Sequence, residues 1–147
     1  DKIFQIGKVG GSEWARKILE KNPSTPQRIA RFFLKPQILE SLPAHKSIKA
    51  ALDQSDSLDK TLRILAKENN AQLCVDVDKI LLSHAKIKSL EDILGAAEDL
   101  AVFGIAAKNA SAFHYVGYIK SVGSYGVEYR RHGKVVAYVD GFEHFAK

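Results

Sequence analysis

The sequence predicts an α+β fold, in which a helical N-terminal two-thirds, residues 1–110, packs on a C-terminal four-stranded antiparallel β-meander, residues 111–147. Three observations predict it. Apolar residues recur at helical spacing through most of the first hundred positions, from Phe113 they recur at every second position, and glycine-containing turn signals then punctuate the chain at short intervals. With 147 residues, 46% of them apolar and 27% charged, the chain has the size and mix of one globular domain, residues 1–147, and not of a disordered or coiled-coil polypeptide.

Residues 2–6 read as a short strand. A glycine turn at Gly7, Gly10 and Gly11 leads into a helix that Ser12 caps, with Trp14, Ile18 and Leu19 on one face and Pro23 as its stop. Thr25 and Pro26 restart a helix whose stripe is Ile29, Phe32 and Phe33, ending at Pro36, and short helical pieces bounded by Pro43 follow. Asp56 and Ser57 open another helix, with Leu58, Leu62 and Leu65 at helical spacing and Asn69-Asn70 at its end. Residues 72–83 fit both periods: Leu73, Val75 and Val77 alternate, whereas Leu73, Val77, Ile80 and Leu81 recur as on a helix, and the helical neighbourhood favours helix. Ser89 starts the clearest helix, with Leu90, Ile93, Leu94, Ala97, Leu100 and Ala101 on one face, running to about residue 108.

The meander is expected at residues 113–120, 125–131, 134–139 and 142–146, with turns at Gly123-Ser124, His132-Gly133 and Asp140-Gly141. Two-residue turns set the register of the last three strands. Glu128, Ala137 and His144 then form one row, and Arg130, Val135 and Ala146 the next row on the same side. Tyr125, Val127, Tyr129, Val136, Tyr138 and Phe145 occupy the side that faces the helices.

A carboxylate, a guanidinium and an imidazole around a small floor at Ala137 suit cleavage of RNA through its own 2′-hydroxyl. That chemistry needs a base (Glu128), an acid (His144) and a cation for the charged phosphorane (Arg130). Lys120 and Arg131 extend the phosphate clamp, while His114 and Tyr118 join the substrate contacts if the first strand pairs through a three-residue loop, a register left open. The scheme uses no metal and no cofactor, and Cys74, the single cysteine, makes neither a disulfide nor a thiolate zinc site alone. Asp76 and Asp78 with His84 as a cation site, and the glycine turn before Ser12 as a phosphate cradle, are weaker readings than a solvated face and an ordinary turn.

Net charge is +5, unevenly spread: residues 1–55 carry ten Lys/Arg against five Asp/Glu, residues 56–107 six against nine, and residues 108–147 six against three. Basic segments flanking an acidic middle favour a polyanionic partner. The longest apolar run, residues 100–107, is too short for a bilayer and the N-terminus lacks a signal-peptide pattern, so no membrane is expected. Asp1 in the place of an initiator Met suits a segment cut from something longer or a trimmed chain.

A helical part followed by a meander bearing Glu128, Arg130 and a near-terminal His144 resembles the barnase and colicin group of toxin ribonucleases, which includes the C-terminal toxins of contact-dependent growth-inhibition proteins. Those three residues carry the resemblance, and it covers the C-terminal strands only. It implies an endoribonuclease acting on RNA, with tRNA as a candidate, and an acidic immunity protein over the cleft. It also implies action in the cytoplasm after secretion or delivery from another cell as part of a larger protein. Two other classes fit the same residues: a non-catalytic nucleic-acid- or protein-binding module, and a structural fragment.

Overall fold

The computed structural model describes residues 1–24, 46–107 and 113–139. In chain order these form β1 (Lys2–Ile6), α1 (Gly11–Lys21), β2 (Ile48–Asp53), α2 (Leu58–Glu68), β3 (Ala71–Asp76), a 3-10 turn (Val77–Lys79), α3 (Leu90–Leu94), β4 (Val102–Ala106), β5 (His114–Val122), β6 (Gly126–Arg131) and β7 (Lys134–Val136). The strands make one seven-stranded sheet in the order β2-β4-β1-β5-β3-β6-β7. Every neighbouring pair is antiparallel except β3 and β6, which run parallel.

This strand-rich mixed sheet overturns the expected helical two-thirds on a four-stranded meander, for three physical reasons. Residues 71–76 are a strand, because Leu73 is held in register between Ile119 of β5 and Val127 of β6, pairings that no local pattern contains. The helix expected over 90–108 stops at Leu94, where the Gly95 N–H donates to Glu91 O at 2.9 Å. Val102–Ala106 is then a strand buried on both faces between β2 and β1. A strand covered on both sides has no reason to alternate, so its apolar run reads equally well as helix. Finally, β5 and β6 do not pair, because β3 lies between them.

Other elements fall where the pattern puts them. In α2, Ser57 Oγ accepts the Lys60 N–H at 3.2 Å and Asn70 turns the chain with φ 47°. The β6–β7 hairpin has the expected two-residue turn, with φ 51° at His132 and 73° at Gly133, and pairs Arg130 with Val135. α1 ends at Lys21, just before Pro23, but Ser12 lies inside its first turn and is not its cap. The helix expected from Thr25 to Pro36, the Asp140-Gly141 turn, the fourth meander strand and His144 lie outside the described residues.

Alternation along the strands sorts side chains into two layers. Ile3, Leu73, Val75, Ile105 and Val116 pack with Leu58, Leu62 and Leu65 of α2 in the main core. The opposite face of β1 and β4 carries a smaller cluster of Phe4, Val102, Ala106 and Phe113, in which the Phe4 and Phe113 rings stack at 4.5 Å. A buried polar link joins helix to sheet: Tyr129 OH donates to Asp59 at 2.6 Å, and Arg63 Nε pairs with the same carboxylate at 2.7 Å. Burial and the Asp59 carboxylate push the Tyr129 phenol far above its ordinary range. No helix among the described residues is long and apolar enough to cross a membrane.

Strands β1, β4 and β2 approach so closely at Gly104 that a Cβ there would sit 2.4 Å from Ala50 O and 2.5 Å from Phe4 Cζ. Gly104→Ala should therefore destabilise the fold by about 1–3 kcal/mol, since one extra carbon must displace packed backbone. An unchanged urea midpoint would contradict the tight strand spacing.

Candidate active site

Two loops that the sequence places far apart are laced together by backbone. The Gln54 N–H donates to Ala101 O at 2.7 Å and the Leu100 N–H to Gln54 O at 3.1 Å, while Glu98 N–H reaches Ser55 O at 3.2 Å and Leu58 N–H reaches Ala96 O at 2.9 Å. The fully buried Gln54 side chain adds bonds from Nε2 to Ala96 O and Asp56 O. Glu98 (φ 61°) and Leu100 (φ 55°) hold left-handed backbone that non-glycine residues seldom adopt, so this segment is strained and over-determined by its neighbours.

Between those two residues, Asp99 turns inward. Its carboxylate accepts the Gly10 N–H at 2.6 Å and the Ser12 N–H at 3.0 Å, at the start of α1. Ser12 Oγ donates to Glu98 O at 3.2 Å from the same turn. Burial pushes the Asp99 carboxyl up, and the bonds from Ser12, Gly10 and Gly11 pull against that shift. The glycine turn read as a phosphate cradle already holds a carboxyl group, that of the protein's own Asp99.

Where the laced loops meet the helices, a cavity of about 330 Å³ opens. Asp56 and Lys60 flank the N-terminus of α2, Lys17 comes from α1, Glu91 from α3, and Glu98 from the strained loop. Lys60 Nζ pairs with Asp56 Oδ2 at 2.8 Å, and Lys17 Nζ with Asp92 Oδ1 at 2.7 Å. The hydrogen bond that Lys17 donates to Asp92 holds the Lys17 ammonium above its usual range and the Asp92 carboxyl below its own. Tyr138 OH donates to Glu91 Oε2 at 3.1 Å. The cavity thus combines four carboxylates (Glu13, Asp56, Glu91, Glu98) with two ammonium groups and the positive end of an eleven-residue helix. Its residues went unmarked in the sequence because Asp56 and Ser57 read as a helix start and residues 95–99 as helix interior. The one available signal was Gly95 inside the predicted helix, together with the β-branched and aromatic run from Val102.

The residues expected to form the ribonuclease site fall elsewhere and divide. Glu128, Arg130, Lys120 and Tyr118 share the sheet face away from α2, with Cys74 of the intervening strand β3 in register with both Tyr118 and Glu128. Lys120 Nζ reaches Glu128 Oε2 at 2.6 Å, Arg130 Nε reaches Oε1 at 3.0 Å, and the Cys74 thiol lies 3.6 Å from Oε1. The Lys120 and Arg130 bonds hold the Glu128 carboxyl down at about 2. Arg131 points away from them and donates to Lys88 O, and the exposed His114 ring lies 2.6 Å from Lys79 O. His144 lies outside the described residues. Asp76 caps the 3-10 turn and pairs with Lys79, Asp78 within the turn pairs with the His132 hairpin tip, and His84 stacks on Trp14.

No protein-family model and no curated protein sequence matches this chain. Solved structures do. Thiamine-monophosphate kinase from Stenotrophomonas maltophilia K279a is 21% identical with a TM-score of 0.73, over 92% of this chain and 51% of that one. AaThiL complexed with AMPPCP and TMP is 21% identical with a TM-score of 0.76, over 99% and 51%. Thiamine monophosphate kinase from Aquifex aeolicus is 19% identical with a TM-score of 0.72, over 92% and 51%. The chain therefore has the fold of about half the length of these proteins. These likenesses overturn the resemblance to barnase and colicin ribonucleases, and with it the toxin nuclease function, its RNA and tRNA substrate and its immunity protein. They do not favour the nucleic-acid- or protein-binding module either. The meander on which the resemblance rested does not exist, since β3 separates β5 from β6.

Asp99→Ala should leave the buried Gly10 and Ser12 N–H groups without their acceptor and lower stability by about 1–3 kcal/mol. Hydrogen exchange should accelerate first at those two amides, and unchanged exchange there would refute the cap. Because the folded Glu128 carboxyl lies near 2, below its ordinary 4.5, its ion pairs favour the fold above about pH 4.5, and that contribution is lost as pH falls toward 2. In a carboxyl-carbon NMR titration, Lys120→Ala should move the Glu128 midpoint up toward the ordinary value.

Proposed function

We propose that this chain forms part of a small-molecule kinase of the thiamine-monophosphate kinase fold, one that moves a phosphoryl group from a nucleoside triphosphate to a phosphate-bearing substrate. The observation that supports this most is the agreement of 99% of the chain, at a TM-score of 0.76, with a protein complexed with AMPPCP and TMP. The chain spans about half the length of that protein, so the activity of a whole enzyme, its substrates and its remaining site residues belong to the proposal.

The cavity at the laced loops suits that chemistry. In phosphoryl transfer an acceptor oxygen attacks the terminal phosphorus, the bond to the bridging oxygen breaks, and negative charge spreads over the peripheral oxygens. The protein contributes position and charge more than covalent chemistry. Lys60 and Lys17 are the cations that face phosphate oxygens, helped by the positive end of the α2 helix. Asp56 holds Lys60 in place, and Glu98 presents its carboxylate from strained backbone laced to the β2–α2 loop. Kinase chemistry implies Mg²⁺. Among the described residues no three His, Cys, Asp or Glu side chains converge to hold a metal ion.

Binding of AMPPCP and of thiamine monophosphate to the 147-residue chain, followed by amide NMR, tests the reading. At least one of them should shift Ser55, Asp56, Ser57 and Gly95, and Lys60→Ala should weaken that binding about tenfold through loss of a charge-assisted contact. Absence of any shift at these amides at about 5 mM of both ligands, well above a Kd of ~1 mM, would overturn it.

A further inference from the structure

The face of the sheet opposite α2 carries a second cavity, of about 350 Å³, that the kinase reading does not use. Its walls come from β1, β3, β5, β6 and the β6–β7 turn, and it is separated from the first cavity by the thickness of the sheet and its helices. Cys74 and Gly117 form its floor, and Tyr115 and Tyr118 its aromatic wall. Three cations line it, Lys2, Lys79 and Arg130, against one carboxylate, Asp76.

Two of those cations have donors to spare. Arg130 spends its Nε on Glu128, and Glu128 is itself fixed by Lys120, so the guanidinium is oriented from behind while its two terminal nitrogens make no hydrogen bond among the described residues. Lys2 Nζ makes no ion pair there and rests 4.8 Å from the centre of the Tyr115 ring. Lys79 balances Asp76 at 3.3 Å. A surface that merely needed solubility would leave its charges in water. Here an oriented guanidinium and an ammonium line one concave space floored by glycine and cysteine and walled by two tyrosines, and Tyr118 is 45% exposed. A guanidinium whose terminal nitrogens have no partner among the described residues matches the two-oxygen edge of a phosphate, and the exposed Tyr118 ring matches a flat heterocycle. The volume falls at the small end of ligand cavities, enough for a mononucleotide-sized molecule that lies partly in solvent.

We propose that this cavity binds the phosphate of a small phosphate monoester with a flat ring, of the nucleoside monophosphate class, through Arg130 and Lys2, with the ring against Tyr118. It is a binding site on the face opposite the kinase cavity and involves no bond making or breaking. The two sites can hold or fail independently.

AMP and inorganic phosphate, titrated separately into the 147-residue chain, are the probes. The glycine amides report position, because Gly117 and Gly133 line this cavity and Gly95 lines the other. AMP should shift Gly117 and Gly133 with a Kd on the order of 1 mM or tighter, and phosphate should shift the same amides at least fivefold more weakly because it lacks the stacking ring. Arg130→Gln and Lys2→Ala should each weaken AMP about tenfold at these amides, and Lys60→Ala should leave them unaffected. Shifts confined to Gly95 would assign AMP to the kinase cavity and overturn the proposal. So would wild-type affinity in both variants, equal affinity for phosphate and AMP, or no shift at about 10 mM AMP. Loss of thiamine monophosphate or AMPPCP binding at Gly95 would bear on the kinase reading alone.

Discussion

A buried carboxylate set against the first amides of α1 does two things at once. It satisfies N–H groups that no residue of the helix itself caps, and it draws the 95–101 segment down onto the N-terminal turn. With Asp99 seated, Glu98 and Leu100 on either side are driven into left-handed backbone, and the outward side of that strained turn is where Glu98 meets the cavity. The lacing to Gln54 and Ser55 then fixes the start of α2 in the same place. Burial pushes the Asp99 carboxyl up while those amides pull it down, and the acceptor that an open helix N-terminus would attract from outside is already supplied from inside.

The sheet divides the molecule into two chemical environments. On the helix side, buried aliphatic residues of β1, β3, β4 and β5 form the core with α2, and Tyr129, Asp59 and Arg63 make one satisfied polar link within it. On the other side an apolar cluster centres on β1, β4 and the entry to β5, with Ile48 of β2 and Tyr115 packed against it, while β5 and β6 further on present Tyr118, Lys120, Glu128 and Arg130. A carboxylate flanked by two cations across neighbouring strands titrates low and orients its partners. The same grouping reads in the sequence as an acid–base site because the residue types are alike. What separates the two interpretations is that Glu128 is already paired on both oxygens, which suits a residue that positions Arg130 and not a base awaiting a proton.

Legibility varied with burial. α2 and the β6–β7 turn were readable because each rests on local chemistry: a serine cap with leucines at helical spacing, and two residues with positive φ. β3 and β4 were not: Phe103 sits in a strand buried on both faces, where hydrophobic period carries no information about which neighbours will pair, and Cys74 sits in a strand fixed by its pairing with β5 and β6. The grouping of Glu128 and Arg130 on one face followed from alternation alone. Tyr118 came within reach of Glu128 only through Cys74, a strand inserted from some fifty residues upstream. The kinase-side cavity was invisible for a related reason, since Asp56 and Glu98 are distant in the chain and meet only because backbone bonds zip their loops together.

By itself the sequence determined the local elements whose energetics close within a few residues: the α2 helix and its cap, the end of α1 before Pro23, the register of the β6–β7 hairpin and the alternation that puts Val127, Tyr129 and Val136 on the core side of it. Only the tertiary structure decided that residues 71–76 enter the sheet parallel to β6, that residues 102–106 are a strand, and that Asp99 occupies the glycine turn at α1. Those choices turn on hydrogen bonds and apolar contacts between segments tens of residues apart. Their gain appears only once the loops between them have closed, so no local pattern encodes it.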